Sequence, residues 1–329
     1  MDDPRGADIT GRYIRFAKEE ARGRSPLYEA LALGVAGDRE AVEFLLTLPA
    51  EKRQPNLLLA TVRHLFGTPA GWAQFRDTLL RHPETVRSLM LERSTQTNEP
   101  ARCATLLPVL AQLPQPLALL EVGASAGLCL LPDRYGYDYG SRVVRPRGNP
   151  GALPTFTCSA SDATPLPAAM PKVVWRAGLD LNPLDAANPS QAAWLETLVW
   201  PQQESRLANL RAALKIAAMF KPRLVKGDLL GDALDRLCRE APEGATLVVY
   251  HTAALAYVSS PADRQAFAER VTGLCHFWIS NESPRVFPLI ADHTRPRGKT
   301  GRFLLSVNGS PVAWTDPHGA ALDWIADEP

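Results

Sequence analysis

The sequence has few cysteines and histidines, and neither residue type is grouped. Five cysteines are spread over 329 residues without a C-x-x-C pair, and the six histidines are equally dispersed. Disulfide frameworks and metal sites need such residues in pairs or at short, regular spacings. The sequence therefore predicts reduced thiols and no resident metal ion. Because thiols stay reduced in the cytoplasm, we also expect a cytoplasmic location.

Excess charge and long apolar runs are lacking as well. The chain carries 36 basic and 35 acidic side chains, a formal net charge of +1, so no overall field attracts nucleic acid or an anionic membrane. No apolar run approaches the roughly 18 residues of a membrane helix. The acidic start "MDDPRGADIT" does not resemble a signal peptide. We expect a small-molecule substrate, with neither nucleic acid nor membrane as partner, and the sequence leaves the oligomeric state open.

The first third of the chain predicts helices. Apolar residues recur there at steps of three and four, and helix starts are marked by Ser25 followed by Pro26, and by Asp38. No strand is expected before Leu117. We therefore predict a helical N-terminal region over residues 1–113, which is a candidate lid.

From Leu117 onward, short apolar runs alternate with helical patterns. This alternation predicts an α/β fold over residues 114–329 with a doubly wound, mostly parallel sheet. Asn308-Gly309 lies between the last two runs and predicts an antiparallel hairpin. Residues 131–171, rich in Pro, Gly and Tyr, are predicted to form an insertion. The predicted strands are "LALLEVG", "KVVWRAGLDL", "PRLVKG", "ATLVVYHT", "CHFWIS", "RFLLSV" and "PVAWTD".

The stretch "LLEVGASAGLC" has two incompatible interpretations. In one, the small residues Gly123, Ala124, Ser125 and Gly127 let the backbone approach a cofactor, and the N-terminus of a following helix helps to bind it. In the other, G-x-S-x-G presents Ser125 as the nucleophile of a hydrolase. A nucleophile turn lies in the middle of its sheet, whereas only helices precede this one. We therefore favour the cofactor loop, with a purely structural turn as a further alternative.

The pattern around this loop favours S-adenosylmethionine (SAM) over a dinucleotide. The loop lacks the G-x-G-x-x-G of dinucleotide sites. Glu121, two residues before the first glycine, is typical of class I SAM sites. Asp180 ends the second predicted strand and is expected, with neighbouring Leu181, to hold the ribose; its alternative is a turn or cap. Asp228 follows the third strand and is a candidate for the adenine end, or else a helix cap.

Two further groups are candidates. The polar segment "RSTQTNEPAR" contains Arg93, expected to meet the SAM carboxylate, and Asn98; alternatively, Asn98 caps a helix and the charges are solvated. Tyr250 and His251 follow the fourth predicted strand, where His251 is a candidate general base because histidine titrates near neutrality. The alternative for His251 is a hydrogen-bonded structural role.

Taken together, "RSTQTNEPARC", "LLEVGASAGLCLLPDRYGYDYG", "RAGLDLNPLD", "WLETLVWP" and "VVYHTAALAYV" resemble the bacterial family called domain of unknown function 2332. The resemblance spans nearly the whole chain and departs from the family at Cys129, where Asn is expected. It implies a Rossmann-like fold similar to class I SAM-dependent methyltransferases. The expected function is methyl transfer from SAM to a small molecule. The alternatives are a non-catalytic SAM-binding or scaffold protein, and a serine hydrolase that uses Ser125.

Overall fold

The computed structural model describes residues 4–96, 98–148, 153–295, 298 and 300–325. The chain forms two compact units. The first contains Met1–Thr97 and Ala193–Ala208, and the second contains Asn98–Ala192 and Asn209–Pro329. Among the described residues, no helix has both the length and the apolar character needed to span a bilayer.

The described residues of the N-terminal part of the first unit form helices and turns, as predicted. Helix starts are fixed locally: the Ser25 hydroxyl accepts a hydrogen bond from the Tyr28 N–H (3.3 Å), and Asp38 accepts one from the Ala41 N–H (2.9 Å). Both predicted caps are thus confirmed. The helices are α1 (Pro4–Arg15), α2 (Pro26–Gly37), α3 (Arg39–Leu46), α4 (Pro55–Phe66), α5 (Trp72–Arg81) and α6 (Pro83–Glu92), with a π-helical turn at Phe16–Ala21.

The boundary of the first unit differs from the predicted division at residue 113. Residues 193–208 join this unit because their tryptophans pack into its core. Trp194 is buried there and its indole donates to the Ser94 carbonyl (3.0 Å), while the Trp200 indole donates to Asn56 (2.9 Å). Residues 98–113 belong instead to the second unit.

The second unit contains a nine-stranded sheet. In chain order its elements are α7 (Cys103–Gln112), β1 (Leu117–Val122), β2 (Gly136–Asp138), β3 (Val143–Val144), β4 (Thr155–Thr157), β5 (Ser159–Ala160), β6 (Val173–Asp180), α8 (Pro189–Leu198), α9 (Glu204–Phe220), β7 (Arg223–Lys226), α10 (Ala233–Glu240), β8 (Thr246–Thr252), α11 (Pro261–Thr272), β9 (Phe277–Glu282), α12 (Pro288–His293), β10 (Phe303–Val307), β11 (Ser310–Thr315) and β12 (Ala321–Trp324). Helices α8 and α9 each contribute residues to both units.

The order of the large sheet is β5-β12-β11-β10-β9-β8-β1-β6-β7. Five neighbouring strands, β9, β8, β1, β6 and β7, run parallel to one another. Strand β10 pairs antiparallel with β9, β11 with β10, and β12 with β11. The predicted α/β architecture, with a mostly parallel sheet and a final hairpin, is therefore confirmed. Asn308 and Gly309 both have positive φ (49° and 80°), as a tight hairpin turn requires.

Strand β1 lies inside the sheet, between β6 and β8. All six of its residues are buried, as expected of a parallel strand covered on both faces. Helices α10 and α11 pack against the sheet through Leu234, Leu237 and Phe267. The expectation that the helical start of the chain keeps β1 away from mid-sheet is wrong, because both of its neighbours come from later in the chain.

The predicted insertion contains a separate three-stranded sheet with the strand order β3-β2-β4. Tyr135, Tyr137 and Phe156 are fully buried and form its core, with ring centroids 5.1–6.2 Å apart. One piece of the insertion, β5, instead pairs with β12 at the edge of the large sheet. Residues 149–152 of the predicted insertion lie outside the described residues.

Candidate functional site

The candidate site lies at the carboxyl edge of the parallel strands. From β1 the chain builds outward to β6 and β7, and it then returns to the other side of β1 to form β8 and β9. The order of strands thus reverses between β1 and β8, which is where open α/β sheets bind their ligands. The segment that leaves β1 at this point, residues 123–127, is called the glycine loop below.

The glycine loop is sharply turned. Gly123, Ser125 and Gly127 all have positive φ, at 75°, 48° and 71°. The Gly123 N–H donates to the Leu179 carbonyl of β6 (2.8 Å). A Cβ atom added at Gly123 would lie 2.5 Å from the Cβ of Ala254. Close approach does explain this glycine, but the group that approaches is another part of the chain.

No α-helix follows the glycine loop, contrary to expectation; a single 3-10 turn occupies Leu128–Leu130. The amide of Asn98 holds the loop instead. Its Nδ2 donates to the Ala124 carbonyl (3.0 Å), and its Oδ1 accepts from the Leu128 N–H (3.1 Å). Asn98 is therefore neither a helix cap nor a solvated group: it clamps the backbone on both sides of Ser125.

The carboxylate of Asp180 is also tied to the glycine loop. Oδ2 accepts a hydrogen bond from the Ser125 N–H (2.8 Å), and Oδ1 accepts one from the Asn182 N–H (2.7 Å). Leu181, between these partners, is exposed. The sequence placed Asp180 at this site and also left open a turn role. Both expectations fit the geometry, because the carboxylate of Asp180 stabilises its own turn through Asn182 and the glycine loop through Ser125.

Asp228 follows β7 and is exposed. Its Oδ1 accepts from the Leu230 N–H (2.9 Å), so it closes its own turn. Helix α10 begins only at Ala233, so Asp228 is not its cap. Its contact with an adenine ring remains a prediction.

Glu121 and Ser125 each carry a buried polar atom that has no partner among the residues that the structure describes. No hydrogen-bond donor among the described residues reaches Oε2 of Glu121, and Oγ of Ser125 has no partner there either. Burial raises the pKa of Glu121 well above its usual value, and Cys129 and Asp180 raise it further. Each unpaired buried group costs about 1–3 kcal/mol. Such groups call for an explanation such as a bound ligand or water.

The two residues predicted to be catalytic are fully enclosed. The Tyr250 hydroxyl donates to the Cys129 carbonyl (2.9 Å), and burial raises its pKa well above the usual value. His251 contacts Glu282 Oε1 through Nδ1 (2.7 Å), and the Trp278 indole donates to its Nε2 (3.0 Å). Because an indole N–H only donates, Nε2 must be unprotonated and Nδ1 must carry the proton. In this arrangement neither nitrogen is open to a substrate.

Glu282 supports the loop that touches Gly123. Besides His251, its Oε1 accepts from the backbone N–H groups of Ala254 (2.8 Å) and Leu255 (3.0 Å). A continuous series of contacts therefore runs from Trp278 through His251 and Glu282 to Ala254 and the glycine loop. These contacts could not be predicted from the sequence, because the residues are far apart in the chain and meet only through the strand order.

Arg102 is a second supporting residue, which the sequence marked only as part of a polar segment. It is buried; its Nε donates to the Pro317 carbonyl (2.8 Å) and its Nη1 to the Thr252 carbonyl at the end of β8 (3.0 Å). Arg102 thereby ties the start of α7 to the same strand end.

Arg93, the other arginine of that segment, belongs to the first unit. There its guanidinium lies 6.0 Å from the ring centroid of Trp194 and pairs with Glu92 (3.2 Å). Its contact with a SAM carboxylate remains a prediction. Thr97, in the same polar segment, lies outside the described residues.

Comparison with known proteins identifies a family. The family model described as an uncharacterized protein conserved in bacteria (DUF2332) matches residues 10–324, so the chain belongs to this family. No curated protein and no solved structure matches it. Function therefore has to be inferred from the site itself.

Proposed function

We propose that this member of the DUF2332 family binds SAM at the glycine loop and transfers its methyl group to a small molecule. One observation carries the proposal: Glu121, just before the positive-φ glycine loop, and Ser125, within it, each have a buried oxygen with no partner among the described residues, where the strand order reverses between β1 and β8. Other buried side-chain atoms of the described residues also lack a partner, but these two belong to the strand end and loop where α/β sheets bind ligands, and a polar ligand there would satisfy them.

The order of the sheet supports a Rossmann-like fold of the class I methyltransferase type. Counted along the chain, the parallel strands β7-β6-β1-β8-β9 have the order 3-2-1-4-5. This order matches the first five positions of the commonest dinucleotide-binding sheet. The sixth strand, β10, departs from that sheet because it runs antiparallel to β9. An antiparallel strand and hairpin at this end are what we expected of a methyltransferase-like sheet.

The residues around the loop fit SAM chemically. A Glu121 carboxylate is a partner for a cation, and a ligand cation beside it would favour the ionised form over the protonated one. Each oxygen of Asp180 accepts one hydrogen bond from the backbone and keeps a second lone pair, which suits ribose hydroxyls. Leu181 offers an exposed apolar surface beside Asp180.

The enclosed His251 is compatible with methyl transfer. SAM supplies an activated methyl group, so the main task of the protein is to align the acceptor atom with it. A general base is needed only if the acceptor must lose a proton during the step. In this proposal neither His251 nor Tyr250 has to accept a proton from the acceptor.

A cytoplasmic location of the protein remains a prediction.

A non-catalytic SAM-binding or scaffold protein is the second candidate. It is favoured by the number of polar groups that bind the chain itself: both nitrogens of His251, both oxygens of Asp180 and the amide of Asn98. This candidate shares the cofactor site and differs only in turnover.

The serine hydrolase is the third candidate. The positive φ of Ser125 and the mid-sheet position of β1 agree with it. However, no base hydrogen-bonds to Ser125 Oγ among the described residues, and His251 is held by Glu282 and Trp278. A triad needs that hydrogen bond.

Calorimetric titration with SAM and with S-adenosylhomocysteine tests the proposal, with NADH as the control ligand. We expect binding of both sulfur compounds, a higher melting temperature with each, and no binding of NADH. If neither SAM nor S-adenosylhomocysteine binds, the SAM proposal is overturned. Incubation with methyl-labelled SAM and a small-molecule extract then separates turnover, seen as a labelled product, from binding alone.

A further inference from the structure

Large apolar side chains are exposed on the loops that follow the parallel strands. Leu181 follows β6 and is 66% exposed, and Tyr257 follows β8 and is 65% exposed. Two more exposed side chains lie on the same edge of the sheet: Leu230 (39%) after β7 and Leu289 (74%) in α12 after β9. Single exposed apolar residues are ordinary, but here each of the strands β6, β7, β8 and β9, which form the parallel group with β1, is followed by one.

Leu181 and Tyr257 stand on opposite sides of the glycine loop. The Leu184 N–H donates to the Ser125 carbonyl (3.0 Å), so Leu181 is three residues from a direct contact with the loop. Ala254 lies against Gly123, and Tyr257 is three residues beyond it. Three residues span at most about 11 Å. Because β6 and β8 flank β1, these two residues lie on the loops to either side of the glycine loop, and they are called the border below.

Both border side chains present apolar surface, whereas Glu121 and Ser125, at the glycine loop itself, are polar. Small-molecule sites typically combine apolar walls with a few polar groups that fix the orientation of the ligand. We propose that the methyl acceptor has an apolar body, an aromatic ring or an alkyl chain, which lies between Leu181 and Tyr257. Its nucleophilic atom points toward the glycine loop. This inference rests on the proposed methyl transfer.

The chemistry of such an acceptor is balanced. A lone pair on its nitrogen or oxygen forms the bond to the methyl carbon while the carbon–sulfur bond breaks. The electron pair of the broken bond passes to sulfur, which becomes the neutral thioether of S-adenosylhomocysteine. The proton released from the acceptor goes to solvent, so no enclosed side chain has to receive it.

Binding of N-phenyl-1-naphthylamine, a neutral apolar fluorophore, tests the inference directly. The variants are Leu181→Asp and Tyr257→Asp, and the matched control is Met219→Asp. Met219 is 74% exposed but lies near the end of α9, before β7 begins and therefore toward the opposite edge of the sheet. We expect binding to the wild type, about tenfold or more weaker binding to the first two variants, and unchanged binding to the control.

Several results would overturn the apolar acceptor site. Equal binding of the fluorophore to all four proteins would do so. So would a wild-type dimer that becomes monomeric in Tyr257→Asp, because a second copy would then cover the border. Co-sedimentation of the wild type, but not Tyr257→Asp, with phosphatidylcholine vesicles would assign the border to a lipid surface.

The SAM affinity of Tyr257→Asp separates this inference from the proposed function. An unchanged SAM affinity combined with loss of fluorophore binding supports both. If the fluorophore pattern holds and SAM fails to bind even the wild type, the apolar site stands and methyl transfer is overturned. If SAM binds the wild type and the fluorophore does not distinguish the variants, methyl transfer stands and the acceptor class is wrong.

Discussion

Two buried glutamates at the same edge of the sheet differ in how they are satisfied. Glu121, near the end of β1, and Glu282, at the end of β9, are each 2% exposed. In both, Oε2 lacks a partner among the described residues. Glu282 compensates through Oε1, which accepts three hydrogen bonds, from His251 Nδ1 and from the backbone of Ala254 and Leu255. It also borders a cavity of about 10 Å³, room for about one water.

Within the part of the chain that the structure describes, no comparable set of hydrogen bonds is found at Glu121. Glu121 lies two residues before the glycine loop, and burial raises its pKa and so favours its protonated form. The same residue type in the same degree of burial therefore has a structural role in β9, whereas in β1 we propose that it faces a ligand. The degree of burial does not distinguish Glu121 from Glu282, whereas the number of hydrogen bonds that each accepts from the described residues does.

The largest expected effect comes from breaking the satisfied member of the pair. Glu282→Ala leaves the Nδ1–H of His251 and two backbone N–H groups without an acceptor in the core. We expect a loss of about 3–5 kcal/mol in the free energy of unfolding, measured by urea denaturation. Glu282→Gln is the control: its amide oxygen still accepts hydrogen bonds, so it should lose much less. Equal losses in both variants would contradict the role given to the acceptor oxygen.

Gly123→Ala tests how tightly the two strand ends are joined. The new Cβ would lie 2.5 Å from the Ala254 Cβ, at a φ of 75°. Strain and overpacking together should cost about 2–4 kcal/mol of stability. Gly140→Ala is the matched control, because Gly140 has a φ of 80° and nothing within 4 Å of an added Cβ. It should lose only about 1–2 kcal/mol. Indistinguishable melting curves for the two variants would show that Ala254 does not pack against the loop.

The unsatisfied member of the pair predicts a dependence on pH. Since the pKa of Glu121 is raised above its usual 4.5 in the folded protein, its contribution to stability is complete below that value and is lost as the pH rises through the folded pKa. Glu121→Gln resembles the protonated form and lacks this loss. We expect the variant and the wild type to be similarly stable near pH 4.5 and the variant to be increasingly more stable above it. Urea denaturation across this range measures the difference, and a constant difference would argue against a protonated Glu121.

Ser125→Ala should have the smallest effect. If Ser125 only lines the cofactor, the change removes at most one hydrogen bond and costs about 0.5–1.5 kcal/mol of SAM affinity. A serine-directed fluorophosphonate should leave Ser125 unlabelled. Stoichiometric labelling that disappears in Ser125→Ala would favour the hydrolase instead.

Local features of the fold could be predicted from the sequence because their causes are local. Ser25 and Asp38 cap helices through N–H groups three residues away, and Asn308-Gly309 turns a hairpin through its own φ angles. The seven apolar runs predicted to be strands overlap β1 and β6 to β11. The four-residue β12 was missed, since "ALDW" is too short to show a period.

The contacts that build the site could not be predicted, because they depend on which strands become neighbours. His251 meets Glu282 and Trp278 only because β8 and β9 pair in parallel. Asn98 reaches residues 26 and 30 positions away. The sequence placed Glu121, Asp180 and the glycine loop at one edge of a sheet. It gave no sign that the chain itself would use so many of their polar groups.

SAM affinity in Glu121→Gln and Glu282→Gln, measured by calorimetric titration beside the wild type, tests the central claim most directly. If Glu121 faces the cofactor, its substitution should weaken SAM binding about tenfold or more, the usual size of a hydrogen bond to a charged group. Glu282→Gln should bind SAM with an affinity close to that of the wild type. Loss of affinity in Glu282→Gln with no change in Glu121→Gln would contradict the assignment of the β1 end as the cofactor site.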